Sequence, residues 1–168
     1  MGSEPSRPAP WLSPEAQALA GLLLTSHQQA FGTPLLAGLA SDTSPGLAAQ
    51  ELFAAEVVVL AHDGADPSGD PGPRLTYANR AALRLWQRPW EAMVGMPSRL
   101  TAEPAERASR SQALVAAQAQ DALTGYRGIR IDSQGRRFAI DGACLWTLRD
   151  GSGQPCGQAA RFNRWWWL

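Results

Sequence analysis

Residues 128–148 read GIRIDSQGRRFAIDGACLWTL, and this stretch decides the fold. Ile129 and Ile131 alternate with charged side chains, and after a Ser-Gln-Gly interruption Phe138 and Ile140 alternate in the same way. A period of two residues is typical of strands with one buried face. Gly135 suits the loop of a hairpin because glycine accepts left-handed backbone angles. The stretch therefore predicts two antiparallel strands joined by a short loop.

The second of these strands continues further along the chain. Its apolar positions recur at Cys144, Trp146 and Leu148, and the sequence DGSG at residues 150–153 predicts another turn. A third strand follows over residues 157–162. Three consecutive antiparallel strands form a meander, which we predict for the last third of the chain.

The first half of the chain predicts one long helix and two strands. Ser13 suits the N-cap of a helix and Pro14 its first position, and apolar residues then recur at helical spacing as far as residue 30. Residues 33–48 indicate a linker. The stretches 56–60 and 75–77 indicate strands, separated by a long loop over residues 62–74.

Further helices are predicted between these strands and the meander. Asn79 is placed to cap a helix over residues 80–87, and Pro104 to open a second helix that ends near residue 123. Helices segregated from an antiparallel sheet are typical of an α+β fold. We predict a five-stranded antiparallel sheet with helices on one face, plus an N-terminal helix that packs on this sheet or on a second copy.

Composition narrows the classes of function. Fifteen basic side chains, all arginine, balance fifteen acidic ones, so net charge does not favour a nucleic-acid partner or a membrane surface. The two cysteines make no disulfide framework, which favours a cytoplasmic location. The apolar run at residues 18–24 is too short to span a bilayer. Residues 1–10, with few apolar side chains, predict a disordered tail.

Several separated motifs carry a resemblance to known proteins. Residues 75–83, LTYANRAAL, look like the entry from strand to helix in PAS domains, where an asparagine precedes an apolar helix. More specifically, the chain resembles the bacterial MEKHLO domain family over about residues 15–163. The motifs that carry this likeness are WE at residues 90–91, PSRLTAEP at 97–104, GYRGIRI at 125–131, GRRF at 135–138 and GQAA at 157–160.

The resemblance implies a PAS-like sensor fold in a stand-alone bacterial protein, and it implies no established ligand or reaction. On this basis we expect a tail over residues 1–10, an N-terminal helix and linker over 11–48, and a PAS-like (MEKHLO) domain over 49–168. The loop at residues 62–74 and the tryptophan-rich C-terminus depart from the family's usual pattern.

PAS-like folds often hold a ligand between the sheet and the helical layer. The same apolar positions also suit a solid core, so both interpretations stay open. Gln158 is the polar group best placed to meet a ligand, because its neighbours on the last strand are small; a self-satisfied strand amide is the alternative. The candidate pocket residues are Leu60, Trp86, Met93, Met96, Ile129, Ile131, Phe138, Ile140, Trp146, Gln158 and Phe162.

The sequence identifies no cofactor, metal site or catalytic site. A flavin photosensor of this fold needs a reactive cysteine in its helical layer, and residues 95–104 contain none. His27 and His62 lie outside the layer where an axial haem ligand is expected. The three aspartates of the 62–74 loop lack the spacing of a calcium-binding loop. Neither cysteine has a histidine nearby in the sequence, so no catalytic residue is predicted.

Four arginines fall on the predicted hairpin, and some of them are expected to share the outer face of the sheet. They either pair with Asp132 and Asp141 on a solvated face or form a clamp for an anion, to which the planar guanidinium group is suited. The four are Arg127, Arg130, Arg136 and Arg137.

Three adjacent indoles, Trp165, Trp166 and Trp167, precede the last residue, Leu168. They cannot all face one core from a single strand, so at least one should be exposed. Because tryptophan is enriched at the centres of interfaces, we assign the three to an interface with a second copy or another protein. Packing over the chain's own core and contact with a membrane interface are the alternatives.

These features favour a small-molecule-binding or signal-sensing module that acts through protein–protein interaction. Its ligand would be a small hydrophobic molecule, and its partner a second copy of the chain or another protein. The alternative is an accessory enzyme or a ligand-sequestering protein that uses Gln158 and the arginines to orient a small polar substrate.

Overall fold

A computed structural model describes residues 7–168, so residues 1–6 of the predicted 1–10 tail lie outside the described part of the chain. Short 3₁₀ turns at Pro10–Leu12 and Ser98–Thr101 accompany the regular elements. In chain order, those elements are α1 (Pro14–Phe31), α2 (Pro45–Ala54), β1 (Val58–His62), β2 (Leu75–Ala78), α3 (Arg80–Trp86), α4 (Trp90–Met93), α5 (Pro104–Gln120), β3 (Ala122–Ile131), β4 (Arg137–Arg149), β5 (Pro155–Phe162) and β6 (Arg164–Trp167).

The strands form one antiparallel sheet in the order β2-β1-β5-β4-β3, with β6 also paired to β4. The sheet and the α+β class are confirmed, and the final strands form the predicted meander. β1 inserts between β2 and β5, so the two early strands join the late ones in a single sheet. Within residues 7–168, no helix is both long and apolar enough to cross a membrane.

β6 continues the ladder that β5 makes with β4. Cys144 pairs with Arg161 of β5 and Asp141 pairs with Arg164 of β6, so the offset between the two strands does not change. The tryptophan-rich end of the chain is therefore strand, and it extends the third strand of the meander alongside the first half of β4.

Helices cover both faces of the sheet. On one face, α3 and α4 pack on a cluster that includes Trp86 and Phe138, and α5 lies over β3 and β4 on the same side. The opposite face holds α1 and α2, which bury Leu23 against Trp146 and its neighbours. The N-terminal helix thus packs on the chain's own sheet, one of the two arrangements expected from its apolar stripe.

α2 lies where the sequence indicated mainly a linker. Ser44 caps it by accepting a hydrogen bond from the amide of Leu47, and Pro45 occupies its first turn. α1 begins in the same way, with Ser13 accepting from the amide of Ala16 and Pro14 following. The same Ser-Pro start therefore marks both helices that cover this face.

The side chain of Asn79 ties three elements together. It is fully buried, and its Oδ1 accepts hydrogen bonds from the amide of Ala82 at 3.1 Å, as the predicted cap of α3, and from the amide of Val59 in β1 at 3.0 Å. Its Nδ2 donates to the carbonyl of Val57 at 2.7 Å and more weakly to that of Leu52 in α2. One amide side chain therefore serves β1, α2 and α3.

Replacing Asn79→Ala is expected to lower the free energy of unfolding by about 3 kcal/mol or more. The change removes a helix cap, worth about 1 kcal/mol, and leaves buried backbone groups without partners, at about 1–3 kcal/mol each. Urea denaturation measures the loss. Asn163→Ala, at an exposed position, is the matched control and should change stability by less than about 0.5 kcal/mol. Equal stability of the two variants would contradict this role of Asn79.

Candidate ligand-binding cavity

A cavity of about 60 Å³ lies between the sheet and α5. Most of its wall is apolar, and strands β1, β3, β4 and β5 supply the larger part of it. The polar side chains on the wall come from different elements and are unusually well buried for their types. Those lining residues are His62, Thr101, Arg110, Tyr126, Arg130 and Gln158, and the apolar ones are Leu60, Ala61, Leu75, Trp86, Ala113, Leu114, Ile140, Ala143, Leu145, Ala159, Ala160 and Phe162.

His62 and Gln158 stand side by side on this wall, because they are paired residues of β1 and β5. The two strands approach closely at this point: a Cβ atom added to Gly157 would lie 2.5 Å from the carbonyl oxygen of His62. Glycine at position 157 therefore permits the pairing that places the two polar side chains together.

The ring of His62 presents an N–H group that lacks a partner. The amide of Gly64 donates to its Nδ1 at 3.0 Å, so the hydrogen of the neutral ring is on Nε2. Nε2 is buried and has no hydrogen-bond partner among residues 7–168. Burial, and then the positive charge of Arg110, lowers the pKa of His62 to about 4, so the ring is neutral at pH 7.

Gln158 adds an acceptor without a partner. Its side chain is 3% exposed, and its Nε2 donates to the backbone carbonyl of Leu114 in α5 at 3.4 Å. No group in the described part of the chain donates to its Oε1. Since buried polar atoms are rarely left without partners, the neighbouring free donor and acceptor mark this wall as the polar end of the cavity.

Two arginines reach the cavity from α5 and β3. Arg110 and Arg130 are each 7% exposed; Arg110 donates to Ser98 Oγ at 2.7 Å, and Arg130 donates to Tyr126 Oη at 2.9 Å. The guanidinium of Arg130 also lies over the Tyr126 ring, 5.5 Å from its centre. Burial, and then the charge of Arg130, lowers the pKa of Arg110 to about 10. Arg110 therefore remains cationic at neutral pH.

Five of the eleven candidate pocket residues line this cavity: Leu60, Trp86, Ile140, Gln158 and Phe162. Met93 and Phe138 lie in the core cluster on the same side of the sheet, and Met96 packs against that cluster, but none of the three is part of the cavity wall. Trp146 faces the opposite side, where its ring meets His27 edge to face.

Ile129 and Ile131 also lie outside the cavity, and the register of β3 gives the reason. Arg130 pairs with Phe138, which faces the cavity side, so Arg130 faces that side too. The two isoleucines flank Arg130 and point to the other face, where both are partly exposed. The alternation of β3 was predicted correctly, but it is the charged Arg130, and not the isoleucines, that faces the cavity.

Reasoning from the sequence missed His62, Arg110, Tyr126 and Arg130 as cavity residues. A histidine that ends a strand and an arginine in the middle of a polar helix carry no local signal of burial. The position of His62 in the cavity follows from its pairing with Gln158, and this pairing exists because β1 lies next to β5. That neighbour relation joins residues almost a hundred positions apart and has no counterpart in local periodicity.

The three tryptophans of the predicted interface are partly exposed on β6. Trp165 and Trp167 share one face, where both rings contact Phe138 edge to face, and the guanidinium of Arg136 lies 3.7 Å from the centre of the Trp167 ring. Trp166 points the other way and is 44% exposed. Partial packing on the core and partial exposure thus occur together in this tail.

A flavin does not fit the cavity as it stands. Sites for molecules of that size occupy about 300–1,000 Å³, several times the volume enclosed here. Of the two cysteines, Cys144 shares the face of Trp146, away from the cavity, and Cys156 is exposed at the start of β5. Neither thiol is placed to react with a ligand held between the sheet and α5.

A family model described as the MEKHLA domain matches residues 17–167, which is nearly the whole chain. This is the family spelled MEKHLO above, so the resemblance drawn from the motifs is confirmed. No curated protein matches the chain.

Solved structures share the fold at low sequence identity. One, described as an RNA-binding light-oxygen-voltage receptor, superposes with a TM-score of 0.60 and 22% identity, over 77% of this chain and 35% of that one. A PAS domain from Colwellia psychrerythraea superposes with a TM-score of 0.56 and 15% identity, over 67% of this chain and 89% of that one. A light-oxygen-voltage domain studied with a flavin analogue superposes with a TM-score of 0.53 and 18% identity, over 76% of this chain and 86% of that one. The likeness shows the fold alone, and this chain matches about a third of the first structure.

The stability of the protein is expected to fall by about 3 kcal/mol on account of His62 as the pH falls from 6.5 to 4. The pKa of His62 is lower in the folded chain than in the unfolded one, so the unfolded chain binds more protons in this window. The stabilisation that the neutral His62 ring gives the folded chain is complete above pH 6.5, and it is lost as the pH drops below this value. Comparing urea denaturation of wild type and His62→Gln across the window measures this contribution as the difference between the two curves.

His27 is the matched control, because burial also lowers its pKa. Its ring accepts a hydrogen bond from Arg161 on the other face of the sheet, away from the cavity. His27→Gln should therefore leave the contribution of His62 intact. If the free energy of unfolding falls with pH in parallel for wild type and His62→Gln, the prediction is contradicted.

Proposed function

The chain belongs to the MEKHLA domain family, and from this premise we propose that it is a sensor module that binds a small molecule between its sheet and α5 and acts through protein–protein contact. One observation carries the proposal. The unpartnered Nε2–H of His62 and the unpartnered Oε1 of Gln158 belong to neighbouring side chains that line one small cavity. A bound molecule that accepts from His62, and that itself or through an adjacent water molecule donates to Gln158, would satisfy both groups.

Gln158 also provides a route from the cavity to the surface. Its amide group is on the cavity wall and at the same time holds the carbonyl of Leu114 in the middle of α5. A ligand that takes over this amide weakens the contact between β5 and α5. It thereby favours one arrangement of the helix over another, which is how differential affinity shifts a population.

Protein purified from cells and examined by native mass spectrometry tests the binding. We expect a species heavier than the chain by the mass of one small molecule, and the loss of this species in Gln158→Leu. The matched control is Gln112→Leu, an exposed glutamine of α5, which should keep the bound molecule. A chain that carries no small molecule, and whose melting temperature no member of a metabolite library raises, would contradict the proposal.

We assign the protein–protein contact to the exposed indoles of β6. Trp165, Trp166 and Trp167 are 36%, 44% and 36% exposed, which leaves a large aromatic area at one end of the sheet. Aromatic rings of this kind supply much of the binding energy in protein interfaces. The apolar stripe of α1 is already buried against the chain's own sheet, so β6 is the better candidate for the contact of a homodimer.

Trp166→Ala is expected to raise the dissociation constant of the homodimer at least tenfold, while the fold is kept because this ring points away from Phe138. Sedimentation velocity over a range of protein concentrations measures the constant. Leu47→Ala removes an apolar side chain of α2 that is 53% exposed, somewhat more than Trp166, and serves as the control. Unchanged association of Trp166→Ala, or a wild type that stays monomeric at high concentration, would rule out this interface.

A further inference from the structure

We propose that the cavity binds the carboxylate group of a short-chain organic acid, and that Arg110 and Arg130 are its recognition residues. The inference rests on the proposed function, since it names the chemical class of the ligand for the same cavity. It is carried by the charge, the hydrogen bonding and the size of the cavity.

The first step concerns charge. Arg110 and Arg130 are each 7% exposed, and neither forms an ion pair with an acidic side chain in the described part of the chain. The ion pairs of residues 7–168 involve other arginines, all of them more exposed. A buried charge is strongly unfavourable without an opposite charge, and here two like charges line one cavity. The missing counter-charge is therefore best supplied by a ligand.

The second step concerns donors. A guanidinium group has five N–H bonds. Within residues 7–168, Arg110 uses one on Ser98, and Arg130 uses two, on Tyr126 and on the carbonyl of Ile129. The remaining N–H groups, together with the free Nε2–H of His62, supply several donors to one anion. Planar guanidinium groups match the two oxygens of a carboxylate particularly well.

The third step concerns size and polarity. One water molecule needs about 10–15 Å³ of cavity volume, so about 60 Å³ has room for about four to six waters or a ligand of similar size. The rest of the wall is apolar, with Leu60, Leu114 and Phe162 among its side chains. An acid with a short hydrocarbon chain suits both the polar and the apolar part of the wall, whereas inorganic phosphate would leave the apolar part unused. Because a carboxylate only accepts, the donor to Gln158 Oε1 is then a water molecule beside the ligand.

Butyrate and its neutral isostere butyramide test the assignment. They have the same number of non-hydrogen atoms and differ in charge. Isothermal titration calorimetry at pH 7 should give butyrate a dissociation constant at least tenfold lower than that of butyramide. Butyrate should also raise the melting temperature of the chain, and inorganic phosphate should not.

Arg110→Met separates recognition from a structural role. The variant replaces a buried, unpaired cation with an apolar side chain of similar length, so without ligand its melting temperature should equal or exceed that of wild type. Its response to butyrate should be lost. Arg127→Gln, on the same strand as Arg130 but exposed and paired with Asp141, is the matched control and should respond to butyrate as wild type does. A destabilised Arg110→Met that still binds butyrate would overturn the inference.

The outcomes also distinguish this inference from the function on which it rests. Equal binding of butyrate and butyramide would overturn the carboxylate assignment and leave a small-molecule sensor. Tight binding of inorganic phosphate would overturn it in favour of a different anion. Failure of every probe, with no small molecule in native mass spectrometry, would overturn both proposals.

Discussion

The buried amide of Asn79 is the constraint on which the arrangement of elements depends. Its oxygen caps α3 and accepts from β1, while its nitrogen donates to the backbone that connects α2 to β1. A carboxylate at this position would lose the donors, and an apolar side chain would lose every bond. Because the network is buried, each of its bonds is made at low dielectric constant, where a missing partner is most unfavourable. The network holds β1 against α2 and α3, and β1 in turn pairs with β5, which places His62 beside Gln158.

The cavity contrasts with the core on the other side of the sheet. Under α1 and α2, small residues such as Ala20 and Ala49 pack with Leu23 and Trp146, and the residues of this cluster are buried. On the α5 side, buried arginines and a neutral histidine take positions that apolar side chains would fill more favourably. Polar groups placed where they reduce stability are typical of binding sites, where the ligand restores the missing interactions.

Much of the fold was predictable because its signals are local. Alternation of period two identified β3 and β4, and the Ser13-Pro14 start located α1. The second Ser-Pro start, at residues 44–45, held the same signal for α2, but the surrounding Gly, Pro and Ser favoured a linker. The site was less predictable, since the face on which Ile129 or Arg130 lies depends on a register fixed by strands far away in sequence. Periodicity gives the alternation of a strand but not the identity of the side that is buried.

The shared register of β5 and β6 gives the molecule a mechanical property. Gln158, on the cavity wall, and Trp165, on the exposed end, pair with β4 at one constant offset, on either side of Asn163, which belongs to neither strand. Seven residues separate them, a length of about 23 Å for an extended strand. Paired strands resist stretching, so in the proposed function a displacement of Gln158 along the strand axis would be passed on toward the indoles. The proposed binding site and the proposed contact surface thus lie on consecutive strands that share one register.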